Sequence, residues 1–136
     1  MADKIQLEVV TPERRVLGEP VDMVTVPGLN GEMGILPGHT PLISQLKTGV
    51  LSYLQDGRTT QLLVSGGFVE VRDDRVSVLA EIAERPEEID VAAARASRDR
   101  LEKQLGGWSG SDDEMESAKT ELARSEVRLQ LAASKL

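Results

Sequence analysis

Cysteine is absent from the 136-residue chain, which excludes a disulfide framework, a thiolate nucleophile and a zinc site built on sulfur, and fits a reducing compartment. Aromatic residues are nearly absent too: Tyr53, Phe68 and Trp108 are all there are, too few for a platform that stacks single-stranded bases. Positive charge is in deficit, with 16 basic against 23 acidic side chains and a net charge of −7, so a phosphate backbone would repel the molecule and no nucleic-acid partner is expected. The longest apolar run, Val91 to Ala94, is four residues, whereas a membrane-spanning helix needs about 20. The opening Met1-Ala2-Asp3-Lys4 leads into alternating residues with no signal core, so the chain is expected to act on the side where it is made.

What is present falls into two halves with different periods. From Lys4 to about Glu84 the apolar residues recur at every second position: Ile5, Leu7 and Val9; Val24 and Val26; Val69 and Val71; Val76 and Val78. That period places alternate side chains on opposite faces of a strand. Nine of the twelve glycines and five of the six prolines punctuate this half, so it reads as a sandwich or flattened barrel of short antiparallel strands. After Pro86 the rhythm changes. Ile89 to Leu105 contains no glycine or proline, and Val91, Ala94, Leu101 and Leu105 fall on one side of a helix. Asp90 is a candidate N-cap, with Glu87 and Glu88 near the positive end of the dipole. Gly106 to Gly110 breaks the helix, and Ser111 with Glu114 forms a capping box that starts another. Met115, Ala118, Leu122, Ser125, Leu129 and Ala132 repeat at three- and four-residue intervals along it. The prediction is a β-sandwich over 1–86 and an antiparallel two-helix hairpin over 87–136, whose small-residue seam holds the helices weakly.

Candidate chemistry is sparse. His39, in Leu36-Pro37-Gly38-His39-Thr40-Pro41, has no second histidine or cysteine to work with and sits in a rigid turn. Gly28 to Gly34 lacks the Gly-Lys-Ser/Thr ending of a phosphate loop, and Glu32 would repel a phosphate. Gly66-Gly67 suggests a bulge or a close approach by another backbone. The pairs Glu87-Glu88, Asp73-Asp74 and Asp112-Asp113 are read as solvated turns and a helix start rather than as acid/base or metal pairs. No catalytic residue, metal or cofactor is assigned. Arg95, Arg98, Arg100 and Lys103 on the first helix, and Arg124 and Arg128 on the second, stand out in an acidic chain as charges able to steer docking on an acidic partner.

Four segments together resemble the epsilon subunit of bacterial and chloroplast F-type ATP synthases, called delta in mitochondria: Gly31 to Leu42, Leu46 to Gly49, Val64 to Val71, and Val76 to Ala80. The resemblance covers nearly the whole chain and implies a ten-stranded sandwich followed by a helical hairpin. It implies a non-catalytic rotor subunit of a proton-translocating synthase, with the sandwich bound to the gamma subunit and resting on the membrane ring of c subunits. Glu32 and His39 would lie in the region facing that ring or gamma. The hairpin would extend into the alpha/beta ring and oppose ATP hydrolysis, with Arg95, Arg98, Arg100, Arg124 and Arg128 meeting acidic beta-subunit surface. The implied location is the cytoplasmic face of the bacterial plasma membrane, reached only through the complex. One departure concerns nucleotide: relatives that bind ATP in the hairpin have Ile-Asp-x-x-Arg-Ala, and here Ala93 stands at the arginine position. Arg95 lies about 200° further around the helix. Weak or absent ATP binding is therefore expected.

Two other classes compete with this reading. A free-standing adaptor would dimerise through the hairpin, and a small hydrolase would need a carboxylate with a strongly raised pKa in a concave pocket.

Overall fold

A computed structural model of the chain describes residues 3–134; Met1, Ala2, Lys135 and Leu136 lie outside the described residues. The alternating half forms ten strands: β1 (Ile5–Val10), β2 (Arg15–Val21), β3 (Met23–Gly28), β4 (Gly31–Ile35), β5 (Leu42–Gln45), β6 (Gly49–Gln55), β7 (Arg58–Ser65), β8 (Phe68–Arg72), β9 (Arg75–Leu79) and β10 (Ile82–Glu84). They pair into two five-stranded sheets, β2-β1-β9-β8-β5 and β10-β7-β6-β3-β4. The pairing is antiparallel with one exception, which the alternation alone does not reveal: β1 runs parallel to β9, with Leu7 opposite Val76 and Val9 opposite Val78. Parallel neighbours need a long connection between them, and most of the sandwich separates these two strands.

The two inner faces meet in a core of Val, Ile and Leu side chains that includes Leu7, Val24, Leu51, Leu62, Val69 and Val78, all at 0–1 % exposure. Tight turns set the register. Asp56 and Gly57 link β6 to β7 with φ of 49° and 80°, and Asp73 and Asp74 link β8 to β9 with φ of 52° and 55°. Both are two-residue hairpin links with positive φ, the geometry that matches strand twist. Gly67, at φ 88°, is the close approach anticipated for the glycine pair, since a Cβ there would lie 1.9 Å from the Leu79 carbonyl oxygen.

The chain divides into two units at Arg85/Pro86. In the second unit Pro86–Glu88 forms a 3-10 turn, followed by α1 (Val91–Gly106) and α2 (Asp112–Ala133). Glu87 and Glu88 therefore belong to that turn, closed by the Ile89 amide on the Pro86 carbonyl, and not to the first turn of α1. Asp90 caps α1 by accepting from the Ala93 amide at 3.0 Å. Ser111 caps α2 by accepting from the Glu114 amide, while its hydroxyl donates to Glu114 Oε1, both at 3.1 Å. The second arm of this capping box thus runs between side chains instead of reaching the cap's own amide. Ala94 and Leu101 of α1 and Ala118, Ser125 and Leu131 of α2 are buried. Met115, Leu122, Leu129 and Ala132 are only half-buried. Leu131 lies off the predicted stripe, because neighbouring helical residues diverge by about 100°.

Candidate docking surfaces

Glu32 and His39 occupy opposite ends of β4. Met33 packs against the core and Ile35 is buried, so period two turns Glu32 outward, opposite Pro27 in the β3–β4 hairpin. The exposed tip beside it, Leu29-Asn30, is tied to β5 by the Leu29 amide on the Gln45 carbonyl. His39 lies beyond the other end of β4, in the loop leading to β5. Its amide donates to the Leu36 carbonyl at 3.1 Å, and Nδ1 lies 2.7 Å from the Thr40 carbonyl. A carbonyl can only accept, so Nδ1 carries a proton and donates, which leaves Nε2 as the ring nitrogen that faces away from the loop's own bonds. The Gly38 amide donates to Asp74 Oδ1 at 2.6 Å, which anchors the loop on the β8–β9 turn. The structure does not bring Glu32 and His39 into one patch.

A surface without any charge motif accompanies them. On the outer face of β5-β8-β9, Phe68 lies opposite both Gln45 and Leu79, and Ile43 lies opposite Glu70. Ile43, Phe68 and Leu79 are 70 %, 49 % and 56 % exposed. Two shallow cavities flank this face. One of about 310 Å³ is lined by Val10, Pro12 and Leu79 among others. The other, about 390 Å³, is lined by Pro41, Ile43, Glu70 and Arg72 among others. The signal for these residues was in the sequence. Val69 and Val71, Val76 and Val78, and Leu42 occupy the inward phase, so an apolar neighbour one position away faces out.

In the helical unit the five arginines do not form one cluster. Arg95 and Arg98 line a groove of about 350 Å³ with Val91, Leu129, Ala132 and Ala133. Arg98 also pairs with Asp99 at 3.0 Å. Arg100 is two positions past Arg98, which places it about 200° around α1 and on the far side from that groove. Arg124 and Arg128 are one turn apart on α2, and Arg124 pairs with Glu121 at 2.7 Å with its side chain only 11 % exposed. Ala93 is exposed, and its amide is taken by the Asp90 cap.

Among the described residues no group of three or more His, Cys, Asp or Glu side chains could hold a metal ion. No helix among them is long and apolar enough to cross a membrane. The carboxylate pairs lie at the β8–β9 turn, the 3-10 turn and the start of α2. The class defined by these features is a β-sandwich followed by a two-helix hairpin, with exposed apolar side chains on one sheet and basic side chains on both helices.

Two family models account for nearly all of the chain. The ATP synthase delta/epsilon chain β-sandwich domain matches residues 4–86, and the delta/epsilon chain long α-helix domain matches residues 87–133. The chain belongs to the delta/epsilon family of ATP synthase subunits, and as an epsilon-type chain it is an accessory, non-catalytic subunit of an F-type ATP synthase. It is 53 % identical over 106 residues to the ATP synthase epsilon chain of Pelotomaculum thermopropionicum, covering 77 % of this chain and 79 % of that one. It is 43 % identical over 133 residues to the epsilon chain of Geotalea uraniireducens, covering 98 % and 96 %. Among solved structures it is similar to a chain of the Euglena gracilis mitochondrial ATP synthase OSCP/F1/c-ring assembly. The TM-score is 0.80 at 28 % identity, over 96 % of this chain and 81 % of that one.

Proposed function

We propose that the sandwich couples the gamma subunit to the c-ring and that the hairpin restrains ATP hydrolysis. The observation that carries the coupling reading is the exposure of three large apolar side chains, Ile43, Phe68 and Leu79, on the outer face of β5-β8-β9, with Phe68 and Leu79 directly paired, while Val69, Val71, Val76 and Val78 fill the inner face. Exposed apolar patches of this kind mark protein interfaces. The c-ring named for the Euglena assembly supports a rotor partner for this chain. Glu32 and His39 lie toward opposite ends of β4 and are assigned to different partners, and the apolar outer face of β5-β8-β9 is assigned to gamma. We assign Glu32, beside the projecting Leu29-Asn30 tip, to the loops of the c-ring. The His39 loop, fixed by three hydrogen bonds, is assigned to gamma, where torque is transmitted. The complex would place the protein at the cytoplasmic face of a bacterial plasma membrane in a proton-translocating synthase.

For the hairpin, Arg95, Arg98, Arg100, Arg124 and Arg128 supply positive charge that meets acidic beta-subunit surface when the helices extend. Their spread around two helices suits insertion between subunits better than one flat contact. No nucleotide is assigned to the hairpin, given Ala93 at the motif arginine position; calorimetric titration with ATP is expected to show no micromolar binding.

Two variants of the full chain, reconstituted with the rest of the complex, test the division of labour. Phe68→Asp is expected to weaken gamma binding by about tenfold or more, since burying such a side chain contributes about 1.5–3 kcal/mol. Replacing the five arginines by alanine is expected to leave gamma binding intact and raise ATP hydrolysis. Unchanged gamma affinity in the first variant, or unchanged inhibition in the second, refutes the corresponding half.

A further inference from the structure

The loop from Leu36 to Pro41 takes its shape from bonds inside itself, the His39 amide on Leu36 and Nδ1 on Thr40. Internal bonds fix a loop's form but not its direction. The bond that ties it to the sheet comes from Asp74, whose carboxylate accepts the Gly38 amide at 2.6 Å across 36 positions of sequence. Asp74 is the second residue of the two-residue β8–β9 turn, at φ 55°, a left-handed position that glycine fills at lower cost. Its own carbonyl accepts the Gln6 amide of β1 at 2.9 Å, so the turn is itself held against the sheet. Gly38, at φ 84°, directs its amide toward that carboxylate from a backbone conformation that other side chains resist. An ionised acceptor on a backbone amide is among the stronger hydrogen bonds available.

We propose that Asp74 is a positioning residue. Its carboxylate sets the direction of the Leu36–Pro41 loop, and through the loop the presentation of His39 Nε2 to gamma. The inference rests on the assignment of this loop to gamma and adds a residue that acts through the loop.

The test uses the full chain and its affinity for gamma in three variants. Asp74→Gly keeps the turn and removes the clamp; Asp74→Asn keeps an acceptor oxygen and tolerates the same φ; His39→Ala probes the contact itself. Asp74→Gly is expected to bind gamma about tenfold more weakly, in line with loss of one charge-assisted hydrogen bond. Its melting temperature is expected to be unchanged or raised, its Gly38 amide to exchange faster with solvent, and Asp74→Asn to bind close to the original strength. A merely structural role would lower the melting temperature of Asp74→Gly and leave Asp74→Asn without rescue, which overturns the inference. Full-strength binding by Asp74→Gly while His39→Ala binds weakly overturns the inference and spares the docking assignment. Full-strength binding by both variants overturns the assignment and the inference with it.

Discussion

The sandwich and the hairpin solve the same packing problem with different side chains. In the sandwich, branched residues such as Leu7, Val24, Leu62 and Val76 are fully buried on facing sheets. In the hairpin, α1 buries Ala94 and Leu101, and α2 buries Ala118, Ser125 and Leu131. An alanine where a leucine could sit forgoes three carbons, at roughly 0.8 kcal/mol per buried CH₂. The difference suits two mechanical duties. A coupling element must not deform under load, whereas a switch element responds to a partner only if its two states lie within a few kcal/mol.

The sharpest way to break the contrast is to damage the sandwich where it has no slack. Gly67→Ala places a methyl group against the Leu79 carbonyl at a φ of 88°, combining backbone strain with overlap against main chain. A loss of about 3–5 kcal/mol is expected in urea unfolding of the sandwich. Leu62→Ala, at 1 % exposure in the core, is expected to cost about 3 kcal/mol in the same measurement. Should either variant unfold at the original urea midpoint, the close packing at that position would be refuted.

A matched pair of serines sharpens the comparison at smaller energy. Ser65 is fully buried, and its hydroxyl is 2.7 Å from the Thr48 hydroxyl. Ser125 is buried to the same degree, yet its Oγ has no hydrogen-bond partner among the described residues. One chemical change should therefore act with opposite signs. Ser65→Ala orphans Thr48 and is expected to destabilise the sandwich by about 1–2 kcal/mol. Ser125→Ala removes an unpaired buried group and improves helix propensity, and is expected to stabilise α2 by about 1 kcal/mol. Amide hydrogen exchange, read separately for β7 and α2, distinguishes the two. Faster exchange in α2 of Ser125→Ala would show that the hydroxyl is satisfied.

The sandwich was legible because half-buried strands write their burial into the sequence with a period of two. Ile5, Leu7 and Val9 all lie on the inner face where alternation puts them. The parallel β1–β9 pair was not legible, since a period of two reads the same for either strand direction. The hairpin caps were visible at Asp90 and Ser111 because an N-cap is a local bond between residues three apart. The docking face was half-written: Phe68, Leu79 and Ile43 are apolar residues in the polar phase, which marks an outward surface without naming what covers it. Asp74 could not be found that way. Its bond to Gly38 spans strands that only the fold brings together, and in sequence Asp73-Asp74 looks like a solvated turn.

The smallest expected effect concerns charge at the edge of the rigid body. Lys4 Nζ lies 2.6 Å from Asp22 Oδ1 and 3.1 Å from Asp56 Oδ1, and the Asp56 amide donates to Asp22 Oδ2 at 2.9 Å. The cluster thereby holds the start of β1 against the β6–β7 turn. Hydrogen bonds from Lys4 and from the Asp56 backbone hold the Asp22 carboxyl below its ordinary 3.8, while the same carboxylates raise Lys4 above 10.5. The two limbs have opposite signs. The Asp22 contribution is present above pH 3.8 and is lost as pH falls through the lowered folded-state value. The Lys4 contribution is present below pH 10.5 and is lost as pH rises through the raised one. All three side chains meet solvent, so the stabilisation is screened and falls with salt. The sandwich should accordingly lose a small increment of stability at each extreme, and Lys4→Met should flatten both limbs while leaving hairpin exchange rates unchanged. Identical acid and alkaline limbs in Lys4→Met and the original chain would mean that this cluster adds nothing to the stiffness of the sandwich.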